Sequence, residues 1–344
     1  MWQLSSLSLV INRYSTFFVF DTKKYRCPMP KHLHVAAAVV RNEKGEILIA
    51  RRPATVDQGG LWEFPGGKLA PYETGRQALN RELCEEVGIQ VESASPLIRI
   101  HHRYPERAVL LDVWQVSDFS GEAYGREGQA VRWVKEEDLS QYTFPEANKP
   151  ILKALRLPDH YMITGDADNE DQWLKKLHLA LNTGIELIQL RAHDLSEDEF
   201  AKRANAALEL TRAAGALLIL NAEPSMLDRV DADGLHLTTE RLSHYASRPV
   251  PASKWLSCAC HNTAQLQMAR ALDADMVTYS PVLETESHPG VEPLGWQEFH
   301  NAIEPIPVPV YALGGLGRTD IRRARGLGGQ GVAGIRAFWP QGKV

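Results

Sequence analysis

The chain has 344 residues, of which 44% are apolar and 24% charged, an ordinary balance for a soluble globular protein. At roughly 100–200 residues per domain, that length suggests two domains. Its 38 basic and 43 acidic residues leave a formal net charge of −5, which speaks against broad binding to a nucleic-acid polymer, since that needs a basic face, but not against binding a single nucleotide.

Residues 1–28 contain an apolar stretch from Leu7 to Phe20 that Asn12, Arg13, Ser15 and Thr16 interrupt. No small-residue cleavage site follows, so a signal peptide is not expected. Met29 opens the segment Met-Pro-Lys-His-Leu-His-Val, a natural start for a first strand. Residues 1–28 are therefore expected to be a mis-assigned or disordered extension. No apolar run reaches transmembrane length, and the expectation is a cytoplasmic enzyme without membrane contact. No feature specifies an oligomeric state.

Leu33–Arg41 and Glu46–Arg52 read as strands joined by the turn Asn42-Glu43-Lys44-Gly45, together a hairpin. Thr74–Glu86 reads as a helix: Ala78, Leu79, Leu83 and Val87 recur at helical spacing and Gly88 stops it. Pro96–Arg103, Ala108–Val116 and Ala130–Trp133 are further strands, and Asn148–Leu155 starts a closing helix. Leu157-Pro158-Asp159 is the expected linker, dividing the chain into domains at 29–157 and 158–344.

Beyond the linker the pattern alternates. Strands are expected at Tyr161–Thr164, Leu187–Arg191, Leu217–Asn221, Gly234–Leu237, Trp255–Cys260, Met276–Ser280, Val308–Leu313 and Gly331–Ala337. Helices are clear at Glu170–Asn182, Glu197–Ala214, Thr263–Leu272 and Thr319–Leu327. Eight strands alternating with helices predict a (β/α)₈ TIM-type barrel. Cys258 and Cys260 share one strand face, but no second pair completes a zinc site, so an ordinary strand is expected there. Four cysteines, unevenly placed, do not make a disulfide framework.

The chemistry is concentrated between Gly67 and Ile89. Glu82, Glu85 and Glu86 fall at i, i+3 and i+4, which puts three carboxylates on one helix face. Like charges so placed repel, and a hard divalent cation, Mg²⁺ or Mn²⁺, would relieve the repulsion. Such a cation bridges phosphate oxygens and lowers the pKa of bound water. Arg81 lies beside them and could hold a carboxylate by a bidentate pair. Gly66 and Gly67 let the backbone approach metal or phosphate closely. A solvated acidic helix face would leave the flanking spacing unexplained. Gly67, Glu73, Arg81, Glu82, Glu85, Glu86 and Gly88 match G-x₅-E-x₇-R-E-U-x-E-E-x-G-U, with Leu83 and Ile89 at the apolar places. Chance agreement is on the order of 10⁻¹⁰ per window.

That segment is the Nudix box, and residues 33–157 resemble the MutT subgroup of Nudix hydrolases, the 8-oxo-dGTP pyrophosphohydrolases. Flanking stretches add to the resemblance: Arg51-Arg52, Trp62–Lys68, Tyr104–Arg107, Gly125–Gln129 and Phe144–Pro150. The resemblance implies an α/β/α sandwich around a mixed sheet, so that the whole chain combines α+β and α/β domains. It implies that Glu82 is the general base or its close partner. It further implies that Glu82, Glu85, Glu86 and Glu127, with the Gly66 carbonyl, hold metal. Arg52, Lys68 and Arg107 would contact the nucleotide, Phe64 would pack by the base, and Asn148 would read the purine edge through its amide. Water would attack the β-phosphorus of a purine nucleoside triphosphate, giving the monophosphate and pyrophosphate and clearing oxidised nucleotides before they cause mutation. On position alone, Asn148 could instead cap the last helix, Glu127 could be a loop charge and Arg52 a surface arginine.

Residues 160–338 resemble the thiamine-phosphate-synthase/TenI barrels through Tyr161–Thr164, Gln189-Leu190-Arg191, Leu220-Asn221, Gly234–Leu237, Ser280–Leu283, Pro289-Gly290, Ala312–Gly315 and Gly331–Ala337. The resemblance implies a thiamine-related phosphate ligand, with Gln189, Arg191, Asn221, His236, His288, Gly314, Gly315 and Gly334 as candidates to touch it. The glycines could equally be tight turns, and Gln189 with Arg191 a polar barrel layer. Departures are concentrated at the metal. Ala222 and Arg241 stand where the synthases carry Asp, and His193 and His288 where lysines are expected. The expectation is a barrel that is not a working synthase but binds a small ligand, isomerises one, or serves structurally. A thiamine-related pyrophosphate is then the alternative substrate for the first domain, with the barrel as its sensor.

Overall fold

The computed structural model describes residues 31–104, 107–285 and 290–342. The extension 1–28 and His288 lie outside the described residues. The first domain comprises β1 (Lys31–Val40), β2 (Ile47–Arg51), β3 (Trp62–Glu63), β4 (Gly66–Lys68), α1 (Gly75–Val87), β5 (Gln90–Arg103), β6 (Arg107–Ser120), β7 (Val131–Val134) and α2 (Lys149–Leu155). The strands form two sheets, ordered β4-β1-β6-β5 and β3-β2-β7. The β1–β6 pair is parallel and the others antiparallel, which makes the first sheet mixed.

The expected hairpin of the first two strands does not form. A single bridge, Arg41 to Ile47, joins them at the turn, and they then enter different sheets. The reason is that β1 is buried on both faces. Ala36, Ala38 and Val40 pack with Leu48, Ala78, Leu79, Leu83 and Val87 beneath α1. Ala37 and Val39 pack with Ile49, Ile100, Val113, Ile151 and Ala154 on the α2 side. A strand so enclosed is central, and β4 and β6 occupy both its edges. Helix α1 starts where expected: the Thr74 hydroxyl accepts from Gln77 N–H, and the Gln77 side chain accepts from Thr74 N–H. Gly88 closes it in the left-handed conformation. Strand β5 begins at Gln90 rather than Pro96, because bulges between Val91 and Ile98 carry the ladder through Pro96.

The second domain is a closed barrel of eight parallel strands. These are β8 (His160–Ile163), β9 (Leu187–Leu190), β10 (Leu217–Leu220), β11 (Gly234–Leu237), β12 (Trp255–Cys260), β13 (Met276–Tyr279), β14 (Val310–Leu313) and β15 (Gly331–Gly334). Around them lie α3 (Glu170–Asn182), α4 (Glu197–Ala214), α5 (Thr239–Leu242), α6 (Thr263–Ala271), α7 (Gly295–Ile303) and α8 (Ile321–Gly326). The outer faces of the strands pack on these helices in one continuous core that includes Leu190, Leu220, Leu237 and Val332. Cys258 and Cys260 belong to that core, and burial pushes both thiols well above their ordinary pKa, so they are inert packing groups. Inside the barrel, Tyr161, Leu187, Ile219, Trp255, Met276, Tyr311 and Ala333 form a layer toward the N-terminal ends of the strands. Among the described residues no helix is long and apolar enough to cross a membrane.

Candidate active site

Strand β4 crosses the second half of α1, and the contact is close enough to require both glycines. A Cβ on Gly66 would sit 2.1 Å from the Ala36 carbonyl oxygen, and its φ is +148°. A Cβ on Gly67 would sit 2.1 Å from the Glu82 carboxylate. Glu82 therefore lies directly against the backbone of β4. Glu86, one turn on, accepts the Gly66 N–H at 3.1 Å.

Arg81 organises the acidic face. Its Nε and Nη2 reach the two oxygens of Glu73 at 3.0 and 2.9 Å. Its Nη1 reaches Glu82 at 2.8 Å and Glu85 at 3.2 Å, and Nη2 also donates to the Lys68 carbonyl at 3.0 Å. Five N–H groups meet five acceptors, so the guanidinium is saturated. These bonds raise the pKa of Arg81 and lower that of Glu73. Glu86 has no such cationic partner among the described residues. Burial pushes its carboxyl up to about 8, against the Gly66 hydrogen bond, and the nearby Glu63, Glu82 and Glu127 push the same way.

Glu127 comes close because its loop is fastened to the end of α1. Arg126 N–H and Gln129 Nε2 donate to the Glu86 carbonyl at 2.9 and 3.0 Å, and Arg126 Nη1 donates to Cys84 O at 2.8 Å. These are carbonyls that a helix end leaves unsatisfied. A buried carboxyl among carboxylates is the environment that a divalent cation suits. The donors fit such an ion, although no group of three His, Cys, Asp or Glu side chains among the described residues is already closed into a metal-binding arrangement. Glu82 and Glu85 are turned toward Arg81 instead, so a cation would have to compete with the guanidinium for them.

The expected nucleotide contacts are divided. Arg52 is bonded to Glu63 and to the Asp57 carbonyl, and Arg107 to the Asp57 carboxylate with its guanidinium over the Tyr104 ring. Both cations are thus paired within the domain. Lys68 is exposed on β4. Phe64 is 3% exposed and stacks on Phe144 at 5.4 Å. Asn148 stands at the N-cap of α2 but makes no side-chain cap bond, although it is only 9% exposed. Its backbone is helical, at φ −90° and ψ −16°, so the side chain is not turned to cap α2.

In the barrel, one hydrogen-bonded chain runs from the mouth inward. Arg241 donates to Glu223 at 2.6 Å and to Asn221 Oδ1 at 2.8 Å. Asn221 reaches Gln189 at 3.4 Å, and Gln189 reaches the Tyr161 hydroxyl at 3.3 Å. His236 is bonded to Ser257 at 2.8 Å, and burial pushes its pKa down to about 3, so it is neutral. Gln189 and His236 are therefore interior polar residues. Arg191 follows β9, tied to Thr164 through its backbone. Gly314 and Gly315 follow β14, and Gly334 ends β15 against the Phe338 ring.

Sequence reasoning left out Glu63 and Gln129 and gave Glu73 no role, although the box spacing of Glu73 from Arg81 was a usable signal. It also passed over His261, whose Nδ1 lies 2.9 Å from the Ser280 carbonyl at the barrel rim.

Residues 36–154 match the family model described as NUDIX domain, and residues 160–338 match that described as thiamine monophosphate synthase. The chain is 40% identical over 126 residues to the 8-oxo-dGTP diphosphatase of Escherichia coli, covering 37% of this chain and 98% of that protein. It is 42% identical over 124 residues to the CTP pyrophosphohydrolase of the same organism, covering 36% and 91%. The second domain is 32% identical over 184 residues to the putative thiamine-phosphate synthase 2 of Aquifex aeolicus, covering 54% and 99%. The chain belongs to the Nudix family through its first domain, a pyrophosphohydrolase, and to the thiamine monophosphate synthase/TenI family through its second.

Proposed function

We propose that the first domain hydrolyses 8-oxo-dGTP and related purine nucleoside triphosphates to the monophosphate and pyrophosphate, with Mg²⁺ or Mn²⁺. The observation that carries the purine reading is Asn148: its residue is 9% exposed, its helical backbone keeps the side chain out of capping, and its amide can donate to and accept from a purine edge. The pyrophosphatase reading is supported by the acidic face of α1, where Glu86 is buried beside three other carboxylates. When bound, the cation neutralises phosphate oxygens and acidifies water. Glu82, Glu85, Glu86, Glu127 and the Gly66 carbonyl would hold it. Glu82, fixed against β4, takes the proton of the attacking water or orients the group that does. Arg81 holds Glu82 in place from the other side. Lys68 meets the phosphates, and Arg52 and Arg107 join it by exchanging Glu63 and Asp57 for phosphate oxygens.

The second domain is read as a ligand-binding barrel without synthase activity. In support, Arg241 bridges Asn221 and Glu223, and Ala222 supplies no carboxylate. A guanidinium there repels the cation that a pyrophosphate leaving group needs. A small thiamine-related phosphate remains the ligand class for the mouth near Arg191, Gly314 and Gly315.

The test is a hydrolysis panel of 8-oxo-dGTP, dGTP, CTP and thiamine pyrophosphate with the wild type, Glu82→Gln and Asn148→Ala. Glu82→Gln should lower kcat about 10²–10⁴-fold on every substrate, and Asn148→Ala should lower the preference for 8-oxo-dGTP selectively. A wild type that prefers CTP or thiamine pyrophosphate overturns the purine assignment.

A further inference from the structure

We infer that Gln330, a barrel residue, is a positioning residue for nucleotide selection in the first domain, because it closes the C-terminal end of the helix whose N-terminal end carries Asn148. The inference rests on the reading of Asn148 as the base-contacting side chain.

Helix α2 has seven residues, Lys149–Leu155. So short a helix has little stability of its own, and its position is set by what it packs against. Ile151 and Ala154 hold its inner face on the first domain's core. At its N-terminal end the Asn148 side chain makes no cap bond. At its C-terminal end the barrel adds polar contacts to the packing of Ala154 and Leu155 on that core. Gln330 Nε2 donates to the Ala154 carbonyl at 3.0 Å and to the Leu157 carbonyl at 2.7 Å. The Ala154 carbonyl also accepts the Leu157 N–H at 3.3 Å, so Gln330 adds a second donor where the helix ends.

Gln330 is 1% exposed, just before β15, and its Oε1 has no hydrogen-bond partner among the described residues. A buried amide that leaves its acceptor unpaired is costly. Its two N–H groups and the carbonyls they reach account for its presence. The rest of the seam holds the same segment. Lys153 Nζ reaches Asp275 at 2.9 Å and Asp273 at 3.1 Å. The other Asp275 oxygen is fixed by Leu256 N–H at 2.8 Å and Arg248 at 2.6 Å, so this anchor is part of the barrel wall. Arg156 lies over the Trp255 ring, and the Tyr311 hydroxyl donates to the Pro158 carbonyl at 2.7 Å.

A seven-residue helix spans about 10 Å, so a shift at Ala154 is felt at Asn148. Displacements near 1 Å are enough to spoil a positioned contact by up to about 10²-fold. The barrel thus sets the aim of a side chain that reads the nucleotide in the other domain, without touching that nucleotide itself.

The experiment uses the full chain. Gln330→Met keeps length and volume but removes both donors, and Lys153→Met removes the second anchor if Gln330→Met does not fold. Each is measured for kcat/KM on 8-oxo-dGTP and on dGTP, alone and combined with Asn148→Ala, with melting temperature as a control. The expected result is a roughly 5- to 10-fold fall in the 8-oxo-dGTP/dGTP ratio for Gln330→Met and a smaller fall for Lys153→Met. In the Asn148→Ala background neither should lower the ratio further. A purely structural role would lower both substrates by one factor and leave the ratio alone. If Asn148→Ala lowers the ratio while neither seam variant does, or if a seam variant still lowers it without Asn148, the positioning role is wrong and base reading stands. If Asn148→Ala leaves the ratio unchanged, the base-reading assignment fails and the inference falls with it.

Discussion

Arg81 and Glu73 are joined by two parallel hydrogen bonds, from Nε and Nη2 to the two carboxylate oxygens, at 3.0 and 2.9 Å. The pair fixes the guanidinium on α1 from a residue before the helix begins. Nη1 is then aimed along the helix at Glu82 and Glu85. Glu73→Gln should weaken this fork, because one oxygen becomes a donor facing another donor. Arg81 would then swing toward Glu82 and Glu85 and compete more strongly with a cation. The expected outcome in steady-state kinetics is a fall in kcat of about ten-fold or more together with a higher Mg²⁺ concentration for half-maximal rate. Unchanged kinetics would mean that Glu73 serves only the loop before α1.

The two glycines of β4 should separate stability from activity. Gly66→Ala places a methyl 2.1 Å from the Ala36 carbonyl at a φ of +148°, so backbone must move. A loss of about 3 kcal/mol or more is expected in denaturant titration. Gly67→Ala meets only the end of the Glu82 side chain, which can turn away. That variant should melt near the wild type while kcat falls about 10²-fold or more, as for a displaced general base. If Gly67→Ala is as active as the wild type, the placement of Glu82 against β4 has no catalytic role.

These relationships show where the sequence was readable. The spacing from Gly67 to Ile89 specified α1, its stop at Gly88 and the carboxylate face, because helix periodicity and termination are local. Alternation of strands and helices from Tyr161 onward specified the barrel, because each strand pairs with the next in chain order. The first two strands were misread as a hairpin because strand neighbours are chosen by tertiary burial. The turn Asn42–Gly45 is a good hairpin signal, yet β1 is enclosed on both faces and gives its edges to β4 and β6. The commitment of Arg52 to Glu63, and of Arg107 to Asp57, was also invisible, since the partners are 11 and 50 residues away in sequence. The same holds for Gln330 against Ala154, which are 176 residues apart.

Glu86 makes the metal question measurable without turnover. Its carboxyl ordinarily titrates near 4.5 and is pushed up to about 8 in the fold, first by burial. Because the folded value is raised, the fold binds this proton more tightly than the unfolded chain does. The stabilisation is complete below about pH 4.5 and is lost as pH rises through about 8. Metal-free protein should therefore melt several degrees lower at pH 8.5 than at pH 6, through about 2 kcal/mol or more from this group. Glu86→Gln should remove most of that slope. Saturating Mg²⁺ should raise the melting temperature more at pH 8.5 than at pH 6, because it binds the ionised form. Equal Mg²⁺ stabilisation at both pH values would show that Glu86 is not among the ligands.

The barrel yields the sharpest contrast between resemblance and residues. Arg241 donates to Glu223 at 2.6 Å and to Asn221 at 2.8 Å, and Tyr245 also reaches Glu223 at 3.3 Å. The mouth is thus held together by an ion pair, in which the Glu223 carboxylate is already taken by a guanidinium. In a chain whose first site is silenced by Glu82→Gln and Glu86→Gln, calorimetric titration with Mg²⁺ should show no binding heat. Adding Ala222→Asp and Arg241→Asp replaces a neutral and a positive side chain by two carboxylates beside Asn221, and a weak Mg²⁺ site should appear. The same silenced chain, given both thiamine-phosphate-synthase substrates, should make no product. Turnover at the rate of an ordinary enzyme, about 1 s⁻¹ or more, would mean that the Arg241–Glu223 pair opens to admit a cation and that the barrel is a working synthase after all.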